Sequence, residues 1–432
     1  MSADTAVDLP PGLGPAEGAQ LHPTAAVGAA YNPFDPAFLR DPHAFFERAR
    51  TEAPVCFNPV FNMWLVTGHA EVMTVCKDPV TFSSRNKVDP PASVLPEVLE
   101  ILHRDGYPVA RQLFNSDPPD HAKIRSLLGQ GLTKERLVAQ EPGIRTLAHA
   151  AVNTFVDTGS VELRDAYTFP VPLSAILDLL GAPRSDHAQI KAWDDAWARL
   201  FTSAYAIEDQ LDAVREVVAY QKYWEAILDD RRAHPTDDLP SALVHAHIDD
   251  REPLSNAELI WQFMGLLAAG HATTTDALTN LLFVLLREPA RWRALVGDPS
   301  LIQPAIDEGL RLVNPVLGLP RVTTHEVELG GVTLPEGAEV LVSFCSASRD
   351  PAAYDDPDTY DPCRAGLNHH LGYGWGIHHC IGSRMADVMM RAMLEVLVER
   401  LPGLQLAPGY DEPEFNVHPF LWGIGRLPVT WT

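Results

Sequence analysis

Three groups of residues have types and spacings suited to chemistry. The first is residues 369–382, HHLGYGWGIHHCIG, where Gly374, Gly376 and Gly382 crowd around Cys380 just ahead of a helical pattern. Glycine lets backbone N–H groups approach a sulfur or a flat ligand with no Cβ in the way. The positive end of the following helix would favour a thiolate. Two other readings stand beside this one. One is a buried, inert cysteine in a turn. The other is a zinc site from His369, His370, His378, His379 and Cys380, although the paired spacing of a closed tetrahedral site is missing. The second group is Glu308-Gly309-Leu310-Arg311, whose acid and base share a helix face and can pair, as surface helices routinely allow. The third is Gly270-His271-Ala272-Thr273-Thr274-Thr275, polar residues inside an apolar helix. Threonine hydroxyls there commonly bond back to the previous turn.

These groups need elements to hold them. Ser255-Asn256-Ala257-Glu258 is a capping box and Pro289 a stop. Between them lies a helix of about 33 residues, or roughly 50 Å at 1.5 Å per residue. Apolar on most faces, it must cross the middle of the molecule. Helical periodicity also covers 140–157, 209–232 and 384–401. Residues 55–57 and 63–67 read as one hairpin. Residues 326–329 and 332–334, joined by Gly330-Gly331, read as a second, and 338–344 as a further strand. The fold class is mainly α with a small β-rich region.

The 432 residues are 46% hydrophobic and 21% charged, which supports a large buried core. Length alone allows about three domains at roughly 150 residues each. No linker or fixed-period repeat follows Tyr31, however, so one large domain is predicted over 31–432. The Pro-, Gly- and Ala-rich residues 1–30 read as an unstructured arm. Lys and Arg number 33 against 57 Asp and Glu, a net charge of −24. That balance argues against nucleic acid and against an anionic membrane surface. Cys56, Cys76, Cys345, Cys363 and Cys380 show no framework spacing, which fits a reducing cytoplasm. The N-terminus carries no targeting signal. The most apolar stretch, 261–286, is broken by Gln262, His271, Asp276 and Asn280, so no membrane span is expected.

Taken together and in this order, the three groups resemble the cytochrome P450 family, the haem-thiolate monooxygenases. The family's cysteine loop reads aromatic-x-x-Gly-x-(His/Arg)-x-Cys-x-Gly. Tyr373-Gly374-Trp375-Gly376-Ile377-His378-His379-Cys380-Ile381-Gly382 follows it, with Tyr where Phe is usual. Glu308 and Arg311 match the ExxR pair. Tyr360-Asp361-Pro362-Cys363-Arg364 is similar to the meander motif, and Arg364 would complete a triad with them. The resemblance spans residues 31–432. It implies a helical triangular prism with haem b (iron protoporphyrin IX) between the long helix and the Cys380 loop. Cys380 would be the metal ligand, and a thiolate ligand pushes electron density onto iron and favours O–O cleavage. Ala269, Tyr373, Gly374 and Gly382 would border the haem. His121, Arg125, Arg321 and His378 match positions that bind the propionates, while His379 has no such match and reads as structural.

Dioxygen reduction consumes protons that must reach a buried centre. The family pattern there is (Ala/Gly)-Gly-x-(Asp/Glu)-Thr-(Thr/Ser), and this chain has Ala269-Gly270-His271-Ala272-Thr273-Thr274. Thr273 matches the oxygen-activating threonine at a polar kink, and Gly270 and Ala272 complete the catalytic positions. Ala272 stands where an acid is usual, which leaves ordered water, His271 or Asp276 as proton sources. The chain ends at Thr432, so electrons are expected from a separate ferredoxin or flavodoxin with its NAD(P)H-dependent reductase. Arg125, Arg384 and Arg391 are candidate docking cations. By family position the substrate pocket draws on 84–112, 200–205, Ala268, Val316, Leu317, Leu319, Phe420 and Leu421. These are mainly apolar and suit hydroxylation or oxidative dealkylation of a hydrophobic small molecule. Arg85, Lys87, Arg104 and Arg111 could pair with a carboxylate or simply face solvent. Direct use of hydrogen peroxide is the alternative that the missing acid favours, and a non-catalytic haem sensor or carrier is the alternative from another class. Ala272→Asp is expected to raise NAD(P)H-driven turnover and to lower the hydrogen peroxide released per NAD(P)H. Unchanged values of both would show that the missing acid is irrelevant.

Overall fold

The computed structural model describes residues 23–85, 94–202, 207–248 and 253–432. Its axis is the helix Asn256–Arg287, 32 residues long. Ser255 Oγ accepts from the Glu258 N–H at 3.2 Å, and Glu258 Oε2 accepts from the Ser255 N–H at 2.8 Å. This reciprocal cap fixes where the helix begins. Glu288 is extended, and Pro289 opens the next helix, Pro289–Gly297, a position where its missing N–H costs nothing. Trp261, Phe263, Leu267, Leu278 and Leu282 are buried on different sides of the central helix, in a core shared with Ile176, Trp224, Met393 and Leu397. The middle of the helix departs from that pattern. Ala269 is exposed, and Ala268, Gly270, Ala272 and Thr273 are only partly buried.

The other helical readings hold within a few residues. Ile207–Ala233 and Ser383–Arg400 are long helices. Residues 140–157 give Glu141–Asn153 and then a separate tight turn at Val156–Thr158. Both hairpins form. Val55–Asn58 pairs antiparallel with Met63–Val66, and Val327–Leu329 with Val332–Leu334. Gly330 and Gly331 have φ of 57° and 78°, the paired positive values that such a two-residue turn demands. The strand expected over 338–344 is shorter, Glu339–Val342, because Ser343 caps the helix Phe344–Ala347. It joins a five-stranded sheet in the order Val55–Asn58, Met63–Val66, Glu339–Val342, Leu319–Thr323, Phe82–Ser83.

The packed body begins earlier than composition suggests. Ala25–Gly28 is a helical turn with Ala25 and Val27 buried. Asn58 Nδ2 donates to the carbonyls of Gly28 and Tyr31, both at 2.9 Å. A Cβ on Gly28 would lie 2.1 Å from the Phe57 carbonyl oxygen, so only glycine fits against the strand. The packed body therefore starts before Tyr31, through small side chains whose docking composition does not register. Residues 1–22 lie outside the described residues. Among the described residues, no helix is long and apolar enough to cross a membrane.

Ser255→Ala removes one half of the cap and is expected to cost about 1 kcal/mol. Urea unfolding should show a lower midpoint with an unchanged slope.

Candidate active site

The Cys380 loop is shaped by its glycines. Gly374 and Gly376 have φ of 70° and 73°, where a Cβ is strained. A Cβ on Gly376 would also meet the Cys76 carbonyl oxygen at 2.2 Å. The Cys380 N–H donates to the Tyr373 carbonyl at 2.9 Å and closes the loop. The Tyr373 hydroxyl donates to Asp387 at 2.6 Å, tying the loop to the helix Ser383–Arg400. Cys380 is exposed. Although the residue keeps accessible surface, the protein atoms crowded around its sulfur raise its thiol pKa, while the Gly382 and Ser383 N–H groups and the Arg125 charge pull it down. The two N–H groups and the Arg125 charge are the features that favour an anionic sulfur. Arg125 Nη2 also donates to the His379 carbonyl at 2.8 Å, bracing the loop from outside.

Beside the loop lies a set of cationic and imidazole groups. His378 Nε2 is 3.0 Å from Ser84 Oγ. The His121 and His378 rings are 4.3 Å apart between centroids. His121 is buried, and its Nε2 has no hydrogen-bond partner among the described residues. Burial lowers its pKa, helped by the positive charges of Arg125 and Arg321. Arg321 is 7% exposed and donates to the Pro320 carbonyl at 2.8 Å. A buried cation without a bound anion is costly, so this cluster is suited to receive negative charge.

The ExxR pair is buried, which rules out the surface-pair reading. Arg311 Nε and Nη2 reach the two Glu308 oxygens at 2.7 and 2.8 Å, and both side chains are fully inaccessible. Arg311 Nη1 donates to the Ser348 and Pro357 carbonyls at 2.9 and 2.7 Å. Arg364 Nε lies 3.5 Å from Glu308 Oε1, and its Nη2 donates to Asp356 and Thr359, both at 2.9 Å. The triad forms, and its outer hydrogen bonds hold the irregular chain ahead of the Cys380 loop.

On the central helix, Thr273 Oγ1 donates to the Ala269 carbonyl at 2.8 Å and Thr274 Oγ1 to Gly270 at 3.0 Å. Helical structure continues through these residues, and the two hydroxyls bond back onto its carbonyls. His271 is buried with its ring edge-on to Phe169 at 4.7 Å. At roughly 100° per residue it lies on the opposite side from Ala269, and desolvation lowers its pKa to about 3.

Comparisons with known proteins decide the family. The model of the cytochrome P450 family matches residues 299–425. The mycinamicin IV hydroxylase/epoxidase of Micromonospora griseorubida is 34% identical over 371 residues, 85% of this chain and 89% of that protein. The chain belongs to the cytochrome P450 family. The vitamin D(3) 25-hydroxylase of Pseudonocardia autotrophica is 31% identical over 407 residues, 92% of this chain and 95% of that protein. The crystal structure of the Tepidiphilus thermophilus P450 heme domain superposes with a TM-score of 0.87 at 32% identity, over 94% of this chain and 97% of that one. This protein is thus a P450 monooxygenase with the P450 fold. The residues present fit a haem-thiolate group: a sulfur among N–H donors, the unpartnered His121 Nε2, the buried Arg321 and a stripe of small residues on the central helix.

Several sequence expectations change. No cluster of His, Cys, Asp or Glu among the described residues can hold a metal by itself, which removes the zinc reading. Leu317 does not line a pocket. It is fully buried with Leu39, Leu341 and Trp422 behind the sheet, because alternation along an extended segment turns it away from Val316. Val316 instead pairs with Leu421 through a backbone bridge, and Phe420 packs partly onto the core around Tyr31. Ala268 and Leu319 stay partly buried. Arg391 is neutralised by Glu141 at 2.7 Å, Arg104 by Asp105 at 2.7 Å, and Arg111 donates to backbone carbonyls. Arg85 lies 3.6 Å from Asp117. Lys87 and residues 203–205 lie outside the described residues. Sequence reasoning missed Ser84, Asp117, Asp387 and Arg164. Each acts on a group distant in sequence, and no local spacing announces such a partner.

Glu308→Ala would leave Arg311 buried and unpaired, at a cost of about 3–5 kcal/mol. Thermal unfolding should show a large fall in midpoint, and a shift of a degree or two would contradict the structural role given to the triad.

Proposed function

We propose that this P450 holds haem b through Cys380 and hydroxylates or oxidatively dealkylates a hydrophobic small molecule. Its electrons come from a separate ferredoxin or flavodoxin with an NAD(P)H-dependent reductase. The observation that carries this reading is the glycine-shaped Cys380 loop, with N–H groups of Gly382 and Ser383 directed at the sulfur. His121, Arg125, Arg321 and His378 take the propionates, and Ala269, Tyr373, Gly374 and Gly382 border the ring. When bound, the haem iron supplies reductive activation of dioxygen, with one oxygen atom going to substrate and the other to water.

The protein's own residues do the rest. The Gly382 and Ser383 N–H groups disperse charge on the sulfur and set its donor strength. Thr273 uses its hydroxyl hydrogen on the Ala269 carbonyl, so its oxygen lone pairs face incoming donors. Ala268, Val316, Leu319, Phe420 and Leu421 supply the apolar wall for substrate. The relatives' names, a mycinamicin hydroxylase/epoxidase and a vitamin D(3) hydroxylase, support a large apolar substrate. Arg384 is exposed beside the loop and suits an acidic electron carrier, as does the partly exposed Arg125. All five cysteines are free, which agrees with a cytoplasmic setting. A peroxide-driven route is the second reading, favoured by Ala272 in the position of the usual acid. Product from peroxide but none from oxygen with a ferredoxin system would select it.

The test is the carbon monoxide difference spectrum of the dithionite-reduced protein beside Cys380→His. A strongly red-shifted Soret band in the parent and its loss in the variant are expected. Haem with an unshifted band would remove the thiolate, and with it the case for monooxygenation.

A further inference from the structure

One acid on the central helix stands apart from the ordinary core. Asp276 is 5% exposed and follows Thr273 by three residues. Residues at that spacing share a helix face, with Cβ atoms about 5–6 Å apart, a gap that one water spans. Its carboxylate faces Arg164, whose guanidinium nitrogen lies 3.3 Å away. Arg164 opens a π-helical turn, Arg164–Thr168, and keeps 17% of its side chain in solvent. On the other side the carboxylate abuts Gly423, where a Cβ would fall 2.1 Å from Asp276 Cγ. Asn280, one turn further on, fixes that backbone by donating to the Trp422 carbonyl at 2.9 Å and accepting from the Ile424 N–H at 3.1 Å. The fold thus reserves a glycine-sized space for a buried carboxylate and connects it to solvent through one arginine.

We propose that Asp276, positioned by Arg164, is the proton donor that replaces the acid missing at Ala272. His271 is excluded from this role by its place on the far side of the helix, against Phe169. The proposal rests on Thr273 lying at the oxygen-activating position. In the step, the Asp276 carboxyl O–H breaks and its proton passes through water, which the Thr273 hydroxyl oxygen holds as an acceptor, to the dioxygen being reduced. The electrons come from the redox partner. The carboxylate left behind is held by Arg164 and takes its next proton from solvent at the exposed edge of that arginine. Burial raises the Asp276 pKa to about 6 against the opposing pull of Arg164, the charged group that faces it. A fraction of the carboxyl is therefore protonated near neutrality.

Three variants of the haem-loaded protein test this: Asp276→Asn, Asp276→Asn with Ala272→Asp, and Arg164→Gln. Infrared difference spectra of the parent should show a protonated-carboxyl band titrating near pH 6 that Asp276→Asn abolishes. With NADPH, a [2Fe–2S] ferredoxin and its reductase, Asp276→Asn should consume NADPH at least about tenfold more slowly. It should also release a larger share as hydrogen peroxide. Adding Ala272→Asp should restore NADPH-driven turnover, by more than the same change gives in the parent. Arg164→Gln keeps the test alive if Asp276→Asn does not fold, since loss of the cation should move the carboxyl band to higher pH. Unchanged NADPH consumption and peroxide release in Asp276→Asn, or a band that Arg164→Gln does not move, overturns the proposal. A parent lacking the red-shifted carbon monoxide band would instead count against the haem reading itself.

Discussion

The Glu308–Arg311 pair is the constraint from which the site is built. Two opposite charges with no access to water can persist only if each remaining polar atom finds a partner. Here those partners are backbone carbonyls at Ser348, Pro357 and Thr359, and the N–H of Asp361. Satisfying the arginine therefore dictates the path of a stretch with little regular structure of its own. Arg364 adds a second cation on the same acid, binds the carbonyls of Asp355 and Asp356, and shares that of Thr359 with Arg311. The loop carrying Cys380 begins a few residues later. An electrostatic requirement on one helix has become a positional requirement on a sulfur.

The central helix answers a different demand. It must be apolar enough to cross the core and still bring small and hydroxylated residues to its midpoint. Thr273 and Thr274 meet both conditions by spending their hydroxyl hydrogens on carbonyls of the preceding turn. Their polarity stays directed while the helix remains unbroken. Gly270 completes the arrangement on another face, where a side chain would press on Ile176 at 3.0 Å.

Features set by neighbouring residues were legible in the sequence. The Ser255 cap, the Pro289 stop, the Gly330-Gly331 turn and the ExxR spacing are all local, and the structure has each of them. The Cys380 loop was legible because its glycines serve φ values that side chains resist. What escaped were partnerships across long separations: Ser84 with His378, Asp387 with Tyr373, and Arg164 with Asp276. The error at Leu317 has the same origin, since the facing of an extended segment follows from what it pairs with.

The contact between Gly376 and Cys76 reaches beyond the loop. Because the loop backbone lies directly on the carbonyl at the end of helix His69–Lys77, the sulfur's position is shared property of two distant stretches of chain. A transplanted Cys380 loop would keep its turns and lose its seat. Conversely, slow drift in residues 69–77 would reach the ligand without altering any residue of the signature. Families that preserve such a motif letter by letter can therefore still diverge in how firmly the sulfur is held.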